Sequence, residues 1–279
     1  MKTSQVKKLS TKHRFLYWIK ERELIRKKKE SEEDKPWTDD EILMNYSFCN
    51  VIRMDDKVSR WLMKNWYEPN HGHKNMFLAC LVARHFNSIE TLEAMGFPKV
   101  WRPQVFLERI SLLEKKFNGA YILTAMKGWN KAEMVFKVTA QQFRDRPISI
   151  DINSMQNTVE SLILFKNLGL FMAGQITADL RWSMDGEWSD KNSWAPMGPG
   201  SKRGINRLNE RDIKSSINQD RFLEELRHDV IETFQTEIPE NLATRMEAID
   251  WQNCLCEFDK YERKLHGEGN PKRKYPGSR

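Results

Sequence analysis

Only four cysteines (Cys49, Cys80, Cys254 and Cys256) occur in 279 residues. That number does not build a disulfide framework and fits a reducing compartment. No window approaches about eighteen uncharged apolar residues, the length a membrane span needs, and Met1 to Lys8 lack the apolar core of a signal segment. A soluble, cytoplasmic protein is expected. The chain has no internal repeat and no long low-complexity tract. Strand and helix patterns do not alternate, which argues against a doubly wound sheet. A Walker loop is missing, so nucleotide triphosphate hydrolysis is not expected. Cys254 and Cys256 with His71 and His73 do not have common zinc-ligand spacing, and no motif demands a metal or organic cofactor.

What is present is aromatic and charged. Thirty aromatics (14 Phe, 10 Trp, 6 Tyr), 39% hydrophobic and 30% charged residues predict one or two compact domains with a real core. The net charge of +7 is uneven: residues 1–30 hold eleven Lys/Arg against three Glu, and residues 260–279 hold seven against two, which leaves −6 between them. Basic ends on a chain of pI near 9.1 suit a polyanion, nucleic acid before membrane. Solvated, frayed ends would give the same counts.

Helical periodicity dominates. A first helix over 11–30 places Phe15, Trp18, Ile19, Leu24 and Ile25 on one stripe, with Arg22, Arg26 and Lys27 to Lys29 towards its end. Thr38 to Glu41 has capping-box spacing and opens a helix through Ile42, Leu43, Tyr46 and Cys49. Further helices are predicted over 55–66, 74–86, from a Ser88 cap to Gly96, and from Pro103 to Phe117. Between Tyr121 and Ile152, Val135 to Val138 and Ile148 to Ile150 read equally as short strands or helical turns. Helical pattern returns from Asn153 to Phe165 and from Met172 to Trp182, a loop fills 183–204, helices follow over 219–234 and 239–264, and a basic tail ends the chain. The domains expected are a basic N-terminal helix (1–30), a two-lobed helical body (31–264) with its cleft near 120–200, and a flexible tail (265–279).

Four stretches carry candidate chemistry. Leu164 to Ile176 reads as helix, glycine turn and helix, a helix-hairpin-helix that would aim backbone N–H groups at a DNA phosphate, with Lys166, Gly169, Phe171 and Gln175 as contacts. An ordinary helix pair capped at Gly169 fits the same residues. Past this hairpin, Asp185, Glu187 and Asp190 offer a pocket acid, Asp190 lying best by spacing. The run from Trp194 through Gly198, Pro199, Gly200, Ser201, Lys202 and Arg203 to Gly204 combines a fixed backbone path with cations, suited to phosphate or pyrophosphate, with Ser201 capping the helix that follows. On a helix from Cys254 to Arg263, Glu257 shares a face with Tyr261, and Cys256 with Lys260, so an acid, a base and a phenol are candidates for one pocket. In Phe48 to Asp56, Arg53 and Asp56 are candidate ligand anchors.

These stretches together resemble a known family. Ile19 to Arg22 with Lys35 to Leu43, Phe48 to Val51 with Arg53, Asp55 and Asp56, Ala83-Arg84 with Phe86-Asn87, Gly198 to Ser201 with Arg203-Gly204, and Leu255 to Tyr261 all look like the alpha-glutamyl/putrescinyl thymine pyrophosphorylases. These are phage amino acid:DNA transferases of thymidine hypermodification, similar to the helical domain of the 5-hydroxymethyluracil DNA kinases. The resemblance runs from about Phe15 to Tyr275. It implies an all-α, helix-hairpin-helix DNA-glycosylase-like fold of two lobes, acting in the host cytoplasm on double-stranded DNA whose thymine analogue an upstream DNA kinase has prepared. The implied reaction displaces pyrophosphate from 5-pyrophosphorylmethyl-deoxyuridine with the amine of a free amino acid, glycine being the expected one. The modified nucleotide would be flipped into a pocket between the lobes, with Trp182 and Trp194 beside it. Arg53, Arg203 and Lys202, with the amides of Gly200 and Ser201, would neutralise the leaving group, and Asp190 or Glu257 would accept the amine's proton. Asp56, Gly198 and Lys260 complete the expected substrate contacts. A DNA glycosylase and a non-catalytic DNA-binding protein are the competing classes.

Overall fold

The computed structural model describes residues 1–119, 123–146, 150–226 and 237–269, and among these every regular element is helical, with no strand. No helix among the described residues is long and apolar enough to cross a membrane. Two compact units form: one from Met1–Asp56 and Asn192–Arg279, the other from Lys57–Lys191.

In the first unit, helix Thr11–Glu30 starts at Ser10, whose hydroxyl accepts the His13 N–H. Phe15, Trp18, Ile19 and Ile25 are fully buried, whereas Leu24 is exposed, because its neighbour Ile25 takes the inward position and lies about 100° further round. The helix is not a separate basic segment. Phe15 packs edge-on against Phe258 at 5.1 Å, and Arg14 grips buried Glu262 through Nε (2.8 Å) and Nη2 (2.7 Å), so the inward face of this helix is part of the core of this unit.

The second predicted helix is shorter than its pattern. Asp40 takes the N-cap and accepts the N–H groups of Ile42 and Leu43, while Thr38 donates its hydroxyl to Glu21, so the helix is Glu41–Asn45 and stops before Tyr46 and Cys49. Towards the other end, helix Pro199–Leu208 begins inside the stretch read as loop. The helix predicted over 219–234 is described only as Phe222–Leu226, its remainder lying outside the described residues. That predicted over 239–264 divides into Glu240–Ala243 and Ala248–Leu265, where Glu247 and Asp250 form a reciprocal cap that restarts the chain. Most of the tail, from residue 270 on, also lies outside the described residues.

The second unit contains helices Lys57–Leu62, Met76–Phe86, Ile89–Met95, Pro103–Ile110, Met155–Leu162 and Leu170–Ser183. Ser88 caps its helix as predicted, by accepting from Thr91 N–H. Pro103 opens the next, but it ends at Ile110 rather than Phe117. There the Ser111 hydroxyl bonds back to the Glu108 carbonyl, and Lys116 takes the carbonyls of Ser111 and Leu113. Val135 to Val138 are helical, in a π turn (Met134–Thr139) between Lys131–Glu133 and Ala140–Asp145; Ile148 and Ser149 lie outside the described residues. Phe86, Trp101, Phe106 and Phe136 form one aromatic core with ring centroids 5.2–6.0 Å apart. Beside it, fully buried Asp179 accepts from Arg84 Nε (2.6 Å) and the Tyr67 hydroxyl (2.7 Å), while Arg84 also donates to Ser59. A buried charge is tolerated here because every partner is supplied locally.

His85, on the same helix as Arg84, donates from Nδ1 to the Leu81 carbonyl, and burial lowers its pKa to about 4. The unfolded chain takes up this proton near pH 6.5 and the folded chain does not. Stability is therefore complete above 6.5 and is lost as pH falls towards 4, by about 3 kcal/mol. Denaturant unfolding of the protein and of His85→Gln at pH 7 and pH 4 should show the variant losing about that much less on acidification.

Candidate functional site

The glycine-rich motif and the Leu255 to Tyr261 motif form one structure in the first unit. Helix Pro199–Leu208 lies so close on helix Ala248–Leu265 that a side chain at Gly204 would fall 2.8 Å from the Leu255 carbonyl carbon and closer still to its oxygen. One at Gly200 would fall 2.5 Å from Cys256 Sγ. Gly198 is the N-cap, with no side chain of its own to bond the first turn. Ser201 is not the cap: it sits inside the first turn, donates to the Gly198 carbonyl (3.0 Å) and accepts from buried Gln252 Nε2 (3.0 Å). Arg203 and Arg207 converge on Asp259, Arg203 through Nε (2.8 Å) and Nη2 (2.7 Å), Arg207 through Nε (3.0 Å). Asp259 is buried while the Arg203 side chain remains 32% exposed, so this guanidinium is held at one edge and open at another. Lys202, next to it, is half-exposed.

The next turn of helix Ala248–Leu265 faces the segment 47–56. Glu257 Oε2 accepts the Cys49 N–H and the Lys260 ammonium, both at 2.9 Å, and Lys260 also donates to the Ser47 carbonyl (2.8 Å) with its nitrogen 4.3 Å from the centre of the Phe48 ring. Asp250 accepts the Arg53 N–H at 2.7 Å. Asp56 accepts the Asn50 N–H at 2.9 Å, and burial raises its pKa against the opposing effects of that hydrogen bond and of Arg53, with Glu257 nearby adding to the rise. Burial, helped by Glu257, likewise pushes the Cys256 thiol up to about 12, so this cysteine is a neutral packing group and not a thiolate nucleophile.

Arg53, Asp56, Glu257 and Lys260 are therefore brought into one acid–base cluster, continued through Cys256 to Gly200, Ser201 and Arg203. Three residues that sequence reasoning did not assign to the site take part. Arg22 is almost wholly buried and holds the turn by donating to the carbonyls of Phe48 and Cys49 and to the Asn50 side chain. It lies on the same helix face as Phe15, Trp18 and Ile25, but next to the run of lysines at the helix's end, which disguised it as a solvated cation. Asn50 and Gln252, polar residues inside otherwise apolar stretches, were the available signals.

Other expectations change. Tyr261 does not face Glu257: its hydroxyl donates to buried Asp40 at 2.6 Å, and burial raises its pKa. Trp194 is 6% exposed and part of the core, which removes it as a surface for stacking a base. Gln175 is buried within helix Leu170–Ser183, while Lys166, Gly169 and Phe171 are exposed at the turn leading into that helix. Asp190 caps a helix: its carboxylate accepts the Met155 N–H (2.8 Å), the Gln156 N–H (2.9 Å) and the Ser154 hydroxyl (2.8 Å). Both oxygens are thus bound at the start of helix Met155–Leu162 in the second unit.

Described elements that are all helical, with a glycine-seated helix start beside an acid–base cluster, define a helical domain built around a polar site. The chain belongs to the family of the 5-hmdU DNA kinase helical domain, whose model matches residues 10–270. A 5-hmdU DNA kinase of Bacillus phage SP10 is 26% identical over 205 residues, covering 61% of this chain and 32% of that protein. The chain thus spans about a third of the length of that curated relative. This bears out the resemblance to the phage thymidine hypermodification proteins read from the motifs. No solved structure matches the chain.

Two substitutions test the geometry. Gly204→Ala forces a methyl group onto a helix carbonyl that cannot yield, and should cost about 3 kcal/mol in unfolding free energy, against about 0.5 kcal/mol or less for Gly119→Ala, which faces open space. Asp56→Asn keeps an acceptor for Asn50 but removes the buried charge. A raised carboxyl pKa means that ionisation costs stability as pH rises above the ordinary carboxylate range, so the melting temperature of the variant minus that of the protein should be near zero at pH 4 and positive by a few degrees at pH 7. A variant that melts lower at pH 7 would show that the Asp56 charge is needed by Arg53.

Proposed function

We propose that this protein modifies thymine-derived bases in double-stranded DNA, by displacing pyrophosphate from 5-pyrophosphorylmethyl-deoxyuridine with the amine of an amino acid, glycine first among candidates. The relative's name joins 5-hmdU, DNA and kinase activity. The family model that matches this chain is that of the 5-hmdU DNA kinase helical domain, and the chain has no Walker loop, so what the two share is better read as handling the modified base in DNA than as phosphoryl transfer from a nucleotide.

The observation that carries the reading is the cluster in the first unit, where cations and carboxylates stand side by side next to a helix start. In the proposed step the bond from the methylene carbon to the pyrophosphate oxygen breaks, and its electron pair leaves with pyrophosphate. Lys202, the exposed edge of Arg203 and the Gly200 and Ser201 amides meet that charge. The amine nitrogen then bonds to the methylene carbon, and its proton passes to a carboxylate. Asp56 is the better acceptor of the two in the cluster, because burial has already raised its proton affinity, whereas Glu257 is committed to Cys49 and Lys260. Loss of pyrophosphate before attack is favoured, since the uracil ring shares the charge of an exocyclic methide. The helix-hairpin-helix reading belongs here too: exposed Lys166 and the start of helix Leu170–Ser183 suit a DNA phosphate.

Duplex DNA bearing 5-pyrophosphorylmethyl-deoxyuridine, incubated with single amino acids and digested, should yield a nucleoside whose mass shows pyrophosphate replaced by the amino acid. Abasic sites would identify a glycosylase, and unchanged nucleosides with every amine a DNA-binding protein. Arg203→Ala should lower turnover at least about tenfold while duplex affinity stays within about twofold, because Arg207 still holds Asp259. Unaltered turnover would take Arg203 out of the reaction.

A further inference from the structure

We infer that the second unit carries its own binding site for an organic phosphate of mononucleotide size, in a cavity that none of the family-like motifs reaches. The cavity measures about 540 Å³, within the roughly 300–1,000 Å³ typical of small-molecule sites. Its floor is apolar: Met76 and Leu78 from the start of helix Met76–Phe86, and Phe77 against Phe143 with ring centroids 4.7 Å apart.

One wall, formed by Ile152 and Met184, is fixed in place. The Trp188 N–H donates to the Ile152 carbonyl (3.1 Å) and the Ser189 N–H to the Asn153 carbonyl (2.9 Å). Gly186 fits between them only because it lacks a side chain: a Cβ there would lie 2.8 Å from both Ile152 Cβ and Trp188 Nε1. Asp190 pins the same segment by capping the helix that follows. The wall at Ile152 and Met184 is therefore tied to the segment 186–189 by backbone hydrogen bonds, which spares a ligand the cost of ordering that wall.

Its mouth sets the charge of the ligand. Lys74 and Arg144 are both exposed, and neither makes an ion pair among the described residues. The single carboxylate there, Asp185, faces His71 Nε2 at 3.4 Å. Two cations against one acid in the lining favour an anionic ligand, and a guanidinium and an ammonium lining one cavity suit phosphate. The apolar floor takes the ring of the nucleotide and the mouth takes its phosphate.

The nucleotide has two possible sources, one free in solution and one within a DNA strand, and the test separates them without any modified DNA. Calorimetric titration with thymidine 5′-monophosphate, thymidine, inorganic phosphate, leucine and a thymidine trinucleotide is expected to show the monophosphate binding at least about tenfold more tightly than thymidine, phosphate or leucine. The double variant Lys74→Ala/Arg144→Ala should lose about tenfold in that affinity at an unchanged melting temperature. A trinucleotide tighter than the monophosphate assigns the site to a strand, and a weaker one assigns it to the free nucleotide. Equal binding of thymidine and its monophosphate, equal binding of leucine, or binding of neither the monophosphate nor the trinucleotide would overturn the proposal. Success or failure here leaves the pyrophosphate-displacement reading to its own assay.

Discussion

The contact between Gly204 and the Leu255 carbonyl fixes the first unit. Because Gly200 and Gly204, four residues apart, present no side chain where helix Pro199–Leu208 meets Cys256 and Leu255, it settles onto helix Ala248–Leu265 at backbone contact. That distance lets Arg203 and Arg207 reach Asp259 and lets Gln252 hold Ser201 at the first turn. Successive turns of helix Ala248–Leu265 then distribute work: Asp250 and Glu257 hold the segment 47–56, Asp259 the neighbouring arginines, and Tyr261 and Glu262 the N-terminal elements through Asp40 and Arg14. One helix thus carries a cluster of opposite charges without leaving any of these carboxylates unpartnered.

Compensation also limits what the cations can do. Lys260 answers Glu257, and Arg203 answers Asp259, so neither offers a full positive charge to a ligand. An anion in this region gains most from donors already oriented and only partly used: the open edge of Arg203, the Lys202 ammonium and the first amides of helix Pro199–Leu208. Such preorganised donors act strongly because they need not be reoriented when charge develops. The excess of Lys/Arg at the chain's beginning says little about this, since Arg14, Arg22 and Arg26 are engaged within the fold, and only the outward lysines of that helix remain as a surface field.

How much of this was legible depended on where the physics was local. The helix start that the sequence marks with Ser88 stands where it is placed, since one side chain satisfies an orphan N–H group by itself, as Ser10 and Ser154 also do. Thr38 and Asp40 compete for one helix start, and the local pattern cannot choose, because the outcome rests on Glu21 taking the Thr38 hydroxyl from another helix. The helix at Pro199 was read as loop because Gly-Pro-Gly has poor helix propensity. Its packing partner lies some fifty residues further on, and only the four-residue spacing of Gly200 and Gly204 hinted at a close-packed helix face. The motif residues themselves were legible as chemistry, but their division between two units was not, since sequence order interleaves a continuous second unit within a discontinuous first.

Asp56 and Asp190 show why residue type and spacing do not assign an acid–base role. Both are carboxylates in polar loops near helix starts. Asp190 accepts three hydrogen bonds at the first turn of one helix, from the Met155 and Gln156 N–H groups and the Ser154 hydroxyl, so it holds that turn in place. Asp56 accepts one backbone N–H, is buried, and sits within the field of Glu257 as well as that of Arg53, so its proton is held more tightly than an ordinary carboxyl's. A group that must take a proton and later release it needs an affinity nearer the working pH, and burial moves Asp56 in that direction. On the proposed reading the acid suited to proton transfer is the buried one, Asp56, and it lies in the unit where the glycine-seated helix start would supply donors for an anion.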